Sequence, residues 1–377
     1  MVTERIKTYA TKYFNRESIF GSEDVIPLWI ADMDLPGSQA ISDALVERAK
    51  HNIWGYTAIP DEYYQAFINW QHRRNGVDYA IENFSYSDNV VQGILFVLGA
   101  LFQEGDKIVV QPPVYHPFFS TISNNHLIQV NSPLIETDGY YEMDFDSLEM
   151  ELADAKAIIL CNPHNPVGRN WREDELQQLV ELCLRHDVMI LSDEIHSDLI
   201  HKGSFTPMKK LNDSHVITFN STGKSFNTAG LQGGYIIFPD QALKQQFEEY
   251  AACHGRVGAN CFNMISNIAA YDHSEDWFED TLKVIQNNID YVTRRLQQEI
   301  PQIKVRPPEA TYLMWLDFTD YGLNDKQLLE RCAKAGVGLG PGEWFGPGGG
   351  GHMRLNVATP KELLKEALDR LAREFAS

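Results

Sequence analysis

The chain is short of positive charge. Its 377 residues carry 32 Lys and Arg against 52 Asp and Glu, a formal net charge of -20. Nucleic-acid affinity comes largely from clustered Lys and Arg, so a balance this acidic argues against nucleic acid and against an anionic membrane surface as partners. Long apolar runs are missing as well. The longest, GILFVLGALF at 93–102, is about half of what a bilayer-spanning helix needs. The N-terminal MVTERIKTYATKYFNRES has charges throughout, where a secretory signal would have an apolar stretch. The expected location is the cytoplasm.

Cysteine is scarce. The five, Cys161, Cys183, Cys253, Cys261 and Cys332, are an odd number, and no two stand as C-x-x-C. A disulfide framework and a structural zinc site are both poorly supported, so no metal is expected and most of the five read as small buried apolar residues. There is no internal repeat and no low-complexity linker.

What is present is alternation. Short apolar runs rich in β-branched residues, IVVQP (108–112), LIQV (127–130), AIILC (157–161), VMILS (188–192), VITF (216–219) and YIIF (235–238), are separated by stretches of helical period. In REDELQQLVELCLRHD (172–187) the residues Leu176, Leu179, Val180, Cys183 and Leu184 form one apolar stripe. Strand and helix in turn predict an α/β fold with a mostly parallel sheet between helices. After about residue 275 the pattern becomes a long polar helix, a few strands around IKVRPPEATYLMWLDF and a helical C-terminus. The expected organisation is a large domain over 49–275, a smaller α+β domain over 276–377, and an N-terminal segment, 1–48, packing with the small domain.

Ligands of an open α/β sheet sit outside the carboxyl ends of its strands. There the chain reads NPHNPVGR (162–169), then DEIHSDL (193–199), then NSTGKSFNTAGLQGGY (220–235). Three strands thus bring Asn165, Asp193, His196 and Lys224 to one edge. Each has an ordinary reading alone: an exposed lysine, an N-cap, a structural histidine, a turn. A phosphate-binding Walker loop fails, because its first glycine would fall at 218 and the chain has Thr218. The joint order carries the case.

That order, ending in GHMRLNVATP (351–360), resembles the fold-type I pyridoxal phosphate (PLP) enzymes, the aspartate aminotransferase superfamily. WIADMD (29–34), NPHNPVGRNW and DEIHSDL resemble its MalY/PatB group of cystathionine β-lyase-like C-S lyases. The similarity runs over nearly the whole chain. It implies the PLP-transferase-like large domain, PLP as cofactor, an amino-acid substrate and a homodimer with shared sites.

The resemblance also implies roles. Lys224 is the Schiff-base lysine and the base that moves the substrate's Cα proton, and small uncharged neighbours suit a lysine that must lose its charge to react. Asp193 faces the pyridine nitrogen, Asn165 donates to the phenolic oxygen, His196 stands in the cofactor site where many members carry a tyrosine that reaches the same oxygen, and Tyr115 stacks on the ring. An Asp193 pair at about 4 Å would be worth on the order of 4 kcal/mol, enough to keep that nitrogen protonated. Ser221, the amides of Val90 and Val91 at a helix start, and Tyr56 from the partner subunit bind the phosphate. Arg354 grips the substrate carboxylate. The chain departs from many aminotransferases at Gln232, which replaces a phosphate-binding arginine, and at Gly223, often a serine. The glycine-rich 340–354 reads as a mobile segment bordering the site. Side-chain selectivity is expected around Asp32, Trp344 and Phe345. The implied reaction is β-elimination of a thiol from cystathionine or another cysteine S-conjugate, giving pyruvate and ammonia. The alternatives are a class I/II aminotransferase and a PLP-binding regulatory or interaction protein.

Overall fold

The strand-forming runs assemble into a seven-stranded sheet in the order Phe84–Ser87, Gly234–Ile237, Val216–Asn220, Met189–Asp193, Ala157–Cys161, Lys107–Val110 and Ile128–Asn131. The computed structural model describes residues 5–256 and 258–376. Gly234–Ile237 runs antiparallel to both its neighbours, and the remaining pairings are parallel. Ala157–Cys161 and Val216–Asn220 are buried at every position, which is why they read as unbroken apolar runs and not as alternating ones.

Helices cover both faces. Helix Glu173–Arg185 buries Leu176, Leu179, Val180 and Cys183, while Leu184, counted in the same stripe, is 42% exposed. At 3.6 residues per turn it falls roughly a quarter turn from the stripe's centre. Helix Asp61–Asn75 is clamped to the antiparallel strand by Tyr63 and Phe67, whose rings stack on Tyr235 at 4.5 and 4.6 Å.

A second, antiparallel sheet has the order Lys304–Val305, Leu313–Asp317, His352–Asn356 and Gly340–Pro341. Helices Glu275–Glu299 and Lys361–Phe375 bury apolar faces against it, through Ile285, Ile289 and Val292 on one and Leu364, Leu368 and Leu371 on the other. Near the N-terminus, Ile26 and Pro27 pair in parallel with Val337 and Gly338.

The glycine-rich 340–354 is a folded turn. The Phe345 carbonyl accepts from the Val114 amide at 2.9 Å, and the Gly351 amide donates to Asp325 at 2.8 Å. A side chain at Gly342 or Gly349 would collide with the backbone of the other, so the glycines serve close approach.

Candidate active site

Three parallel strands end together at one edge of the main sheet. Register pairs Cys161 with Asp193 and Asp193 with Phe219, so the loops that follow converge. Asn165, Asp193, His196, Ser221 and Lys224, with Tyr115 and the helix start at Val90 and Val91, line one cavity of about 190 Å³.

Asp193 is 3% exposed. Its Oδ1 accepts from the Ile195 amide at 3.1 Å. Burial pushes the carboxyl up to about 7, against the pull of that amide and of Lys224. A carboxylate this deep lacks a full counter-charge.

His196 is buried, its ring centre 6.1 Å from that of Tyr312 in an edge-to-face arrangement, and its Nδ1 has no partner among the described residues. Burial first, then the charges of Lys224 and Arg354, holds its pKa well below the usual imidazole range. It is neutral, with a nitrogen left over. The Asn165 side-chain oxygen accepts from Arg354 at 3.0 Å.

Lys224 sits in the single turn Thr222–Ser225, whose cap is Ser221. Its Nζ donates to the Ala31 carbonyl at 2.6 Å, across the chain from its own loop. Burial, then the Arg354 charge, lowers its pKa to about 8. A sizeable fraction of the amine is therefore neutral near neutral pH, the state in which it is nucleophilic and basic.

The part of the cavity wall formed by the start of helix Val90–Leu101 suits an anion. Asn89 caps helix Val90–Leu101 by accepting from Gln92 at 2.9 Å, and the first amides of the helix have no acceptor within it. Ser221 stands beside them, its hydroxyl donating to the Gly233 carbonyl at 2.8 Å. Gln232 also lines the cavity, at the left-handed φ of 62°. Its carbonyl accepts from Asn263. This part of the cavity wall thus offers neutral groups and a helix end.

Arg354 lies beside the cavity, 5% exposed. It donates to Asn165 and, at 2.8 Å, to the Trp29 carbonyl, and packs over the Phe345 ring at 4.8 Å. Burial pulls it down to about 10, so it stays charged. Its Nε has no partner among the described residues. Tyr56 is elsewhere: it is fully exposed, in a surface stretch with Ile53 and Trp54. Trp54 packs on Phe262 at 5.4 Å, and Asn263 next to it reaches Gln232 on the cavity wall.

Asp32, expected near the substrate's side chain, is bound up otherwise. With Asp34 it forms an ion cluster with Arg5 and the fully buried Lys12, at 2.6 to 3.2 Å. Trp344 meets Trp29 and His116 at 6.1 and 6.0 Å. Cys161, read as core packing, also lines the cavity; its position as the last residue of a strand was the available signal. Ala31 and Tyr312 gave none.

A family model described as aminotransferase class I and II matches residues 23–371. Over 375 residues the chain is 40% identical to cystathionine beta-lyase PatB of Bacillus subtilis, covering 98% of this chain and 97% of that one. A PLP-bound Clostridium difficile 630 protein named as an aminotransferase superposes with a TM-score of 0.97 at 37% identity, covering 100% and 99% of the two chains. The PLP-bound C-S lyase of Staphylococcus hominis superposes with a TM-score of 0.93 at 32% identity, covering 100% and 97%.

Proposed function

We propose, since the chain belongs to the aminotransferase class I and II family, that it is a pyridoxal 5'-phosphate-dependent carbon-sulfur β-lyase. It converts cystathionine or a related cysteine S-conjugate, with one water, to a thiol, pyruvate and ammonia. The observation that carries this reading is the make-up of the cavity: the Lys224 amine, the buried Asp193 carboxyl and the start of helix Val90–Leu101 face one space, with Arg354 beside it bonded to Asn165. The full-length likeness to a cystathionine β-lyase supports it.

The residues fit the cofactor. A reactive amine, a buried carboxylate and an anion-binding helix start face one cavity, and the buried His196 Nδ1 is left without a partner among the described residues. The chain would hold PLP through Lys224, Asp193, Asn165, His196, Tyr115, Ser221 and the amides of Val90 and Val91. When bound, the cofactor supplies an electron-withdrawing ring that makes the substrate's Cα proton acidic.

The protein's own groups do the rest. Arg354 holds the substrate carboxylate, and its spare Nε and charge suit a forked contact. The Lys224 amine takes the Cα proton, which requires it neutral. The Cβ–S bond then breaks with its electron pair on sulfur, and the sulfur leaves as the thiol by taking the proton that Lys224 removed from Cα. Asp193, buried at the cavity wall, would hold the cofactor's ring nitrogen and keep it protonated.

The site is completed by a second copy of the chain. Ile53, Trp54 and Tyr56 expose apolar surface beside the loop that reaches Gln232, and Tyr56 of the second copy supplies a phosphate donor. Among the described residues no helix is long and apolar enough to cross a membrane. The cysteines are unpaired, which suits a reducing compartment, and we place the enzyme in the cytoplasm. The test is stoichiometry: with L-cystathionine the purified PLP-loaded protein should release thiol and pyruvate in equal amounts. Thiol without pyruvate, or neither, contradicts the reading.

A further inference from the structure

Side chains hold the segment 29–34 along nearly its whole length. Arg354 donates to the Trp29 carbonyl, Asn356 to those of Ile30 and Asp32 at 2.6 Å each, and Asn227 bonds both the amide and the carbonyl of Met33. At Ala31 one carbonyl takes two donors, Lys224 Nζ at 2.6 Å and the Tyr312 hydroxyl at 2.9 Å. A carbonyl oxygen has two lone pairs, and both are spoken for.

Tyr312 is fully buried. It follows Thr311, whose φ of 72° is a genuine outlier for a β-branched residue. That conformation is pinned from both sides: the Thr311 amide donates to the Leu199 carbonyl at 2.7 Å, and its carbonyl bonds the His201 ring at 2.5 Å. Leu199 and His201 lie just past DEIHS, so the strained turn is anchored to the loop that carries Asp193 and His196. Strain of this kind persists where the surroundings over-determine it, and it clusters at functional sites.

We propose that Tyr312 is a positioning residue: by sharing the Ala31 carbonyl with Lys224 it fixes where the free amine rests and limits how tightly that carbonyl holds the amine's protons. The inference rests on the reading of Lys224 as the reactive amine. Removing the hydroxyl leaves the carbonyl wholly to Lys224, and an acceptor without a competing donor favours the ammonium form. The other groups facing the amine, Arg354 and Lys12 on the positive side, Asp32 and Asp193 on the negative, and the uncharged His196, are untouched by the change.

The experiment uses protein freed of cofactor. Carbamylation of Lys224 by cyanate is followed against pH, with the Lys224 peptide quantified by mass spectrometry, in wild type, Tyr312→Phe and Tyr79→Phe. Tyr79 is a buried phenol whose hydroxyl has no partner among the described residues, and it serves as the control. The midpoint should lie near pH 8 in wild type and control, and about half to one unit higher in Tyr312→Phe. With PLP and L-cystathionine, Tyr312→Phe should lose roughly tenfold in kcat with KM little changed. An unmoved midpoint in a folded Tyr312→Phe protein would overturn the proposal. A wild type that titrates as expected but releases no pyruvate would count against the lyase reading, while the shifted midpoint would still support this one.

Discussion

Replacing Asp193 by Asn removes one charge from the bottom of the site, and the structure sets the size of the effect. The carboxyl goes from an ordinary 3.8 to about 7 on folding, a rise of roughly three units or about 4 kcal/mol. The sign is the reverse of a salt-bridged aspartate. Because the folded value is the higher one, the folded state holds the proton longer, and stability falls as pH rises from the unfolded value through the folded one. Between pH 6 and 8 that loss amounts to about 1.4 kcal/mol for a group titrating near 7. Cofactor-free wild type and Asp193→Asn should therefore diverge in urea unfolding: the wild type weakens by about that amount relative to the variant as pH is raised from 6 to 8. Glu194, pushed up to about 8 by burial, is present in both proteins and largely cancels. PLP binding should reverse the ranking, since a cation at the ring nitrogen compensates the carboxylate, and Asp193→Asn should hold PLP up to about a thousandfold more weakly. A wild-type-minus-variant difference that stays flat from pH 6 to 8 would refute the reasoning.

Other changes have equally definite outcomes. Lys224→Ala should fold, bind PLP without a covalent link and lose at least about a thousandfold in pyruvate release; a spectrum and rate like those of wild type would contradict its role. Arg354→Lys keeps the charge but not the fork that reaches Asn165 and Trp29, and kcat/KM in the pyruvate assay should fall about a hundredfold, mostly through KM. Trp54→Asp buries a charge in the proposed contact between copies, so gel filtration should show a monomer with PLP more easily lost; an unchanged dimer would place the interface elsewhere.

The main sheet was legible because its central strands are buried on both faces and spell continuous apolar runs. The cavity was legible because Asn165, Asp193 and Lys224 each follow such a run within a few residues, so strand order alone brings them together. The partners that complete the site come from far along the chain. Ala31 and Lys224 are 193 residues apart and meet through a backbone carbonyl, which has no residue signature. Lys12 looks like a surface charge, yet it is fully buried against Asp34 at 2.6 Å. The same cluster pairs Asp32, where selectivity was expected, with Arg5 and Lys12. In the glycine-rich 340–354, Gly342 and Gly349 permit a close backbone approach that a run of glycines does not by itself announce.

The central claim is that the protein eliminates a thiol without needing a second substrate. The direct measurement is pyruvate formation by PLP-loaded protein given L-cystathionine and no keto acid, followed over many turnovers. Steady release, unaffected by added keto acid, is the predicted result. A single turnover that stops, and resumes only when a keto acid is supplied, would make the protein an aminotransferase and contradict the account.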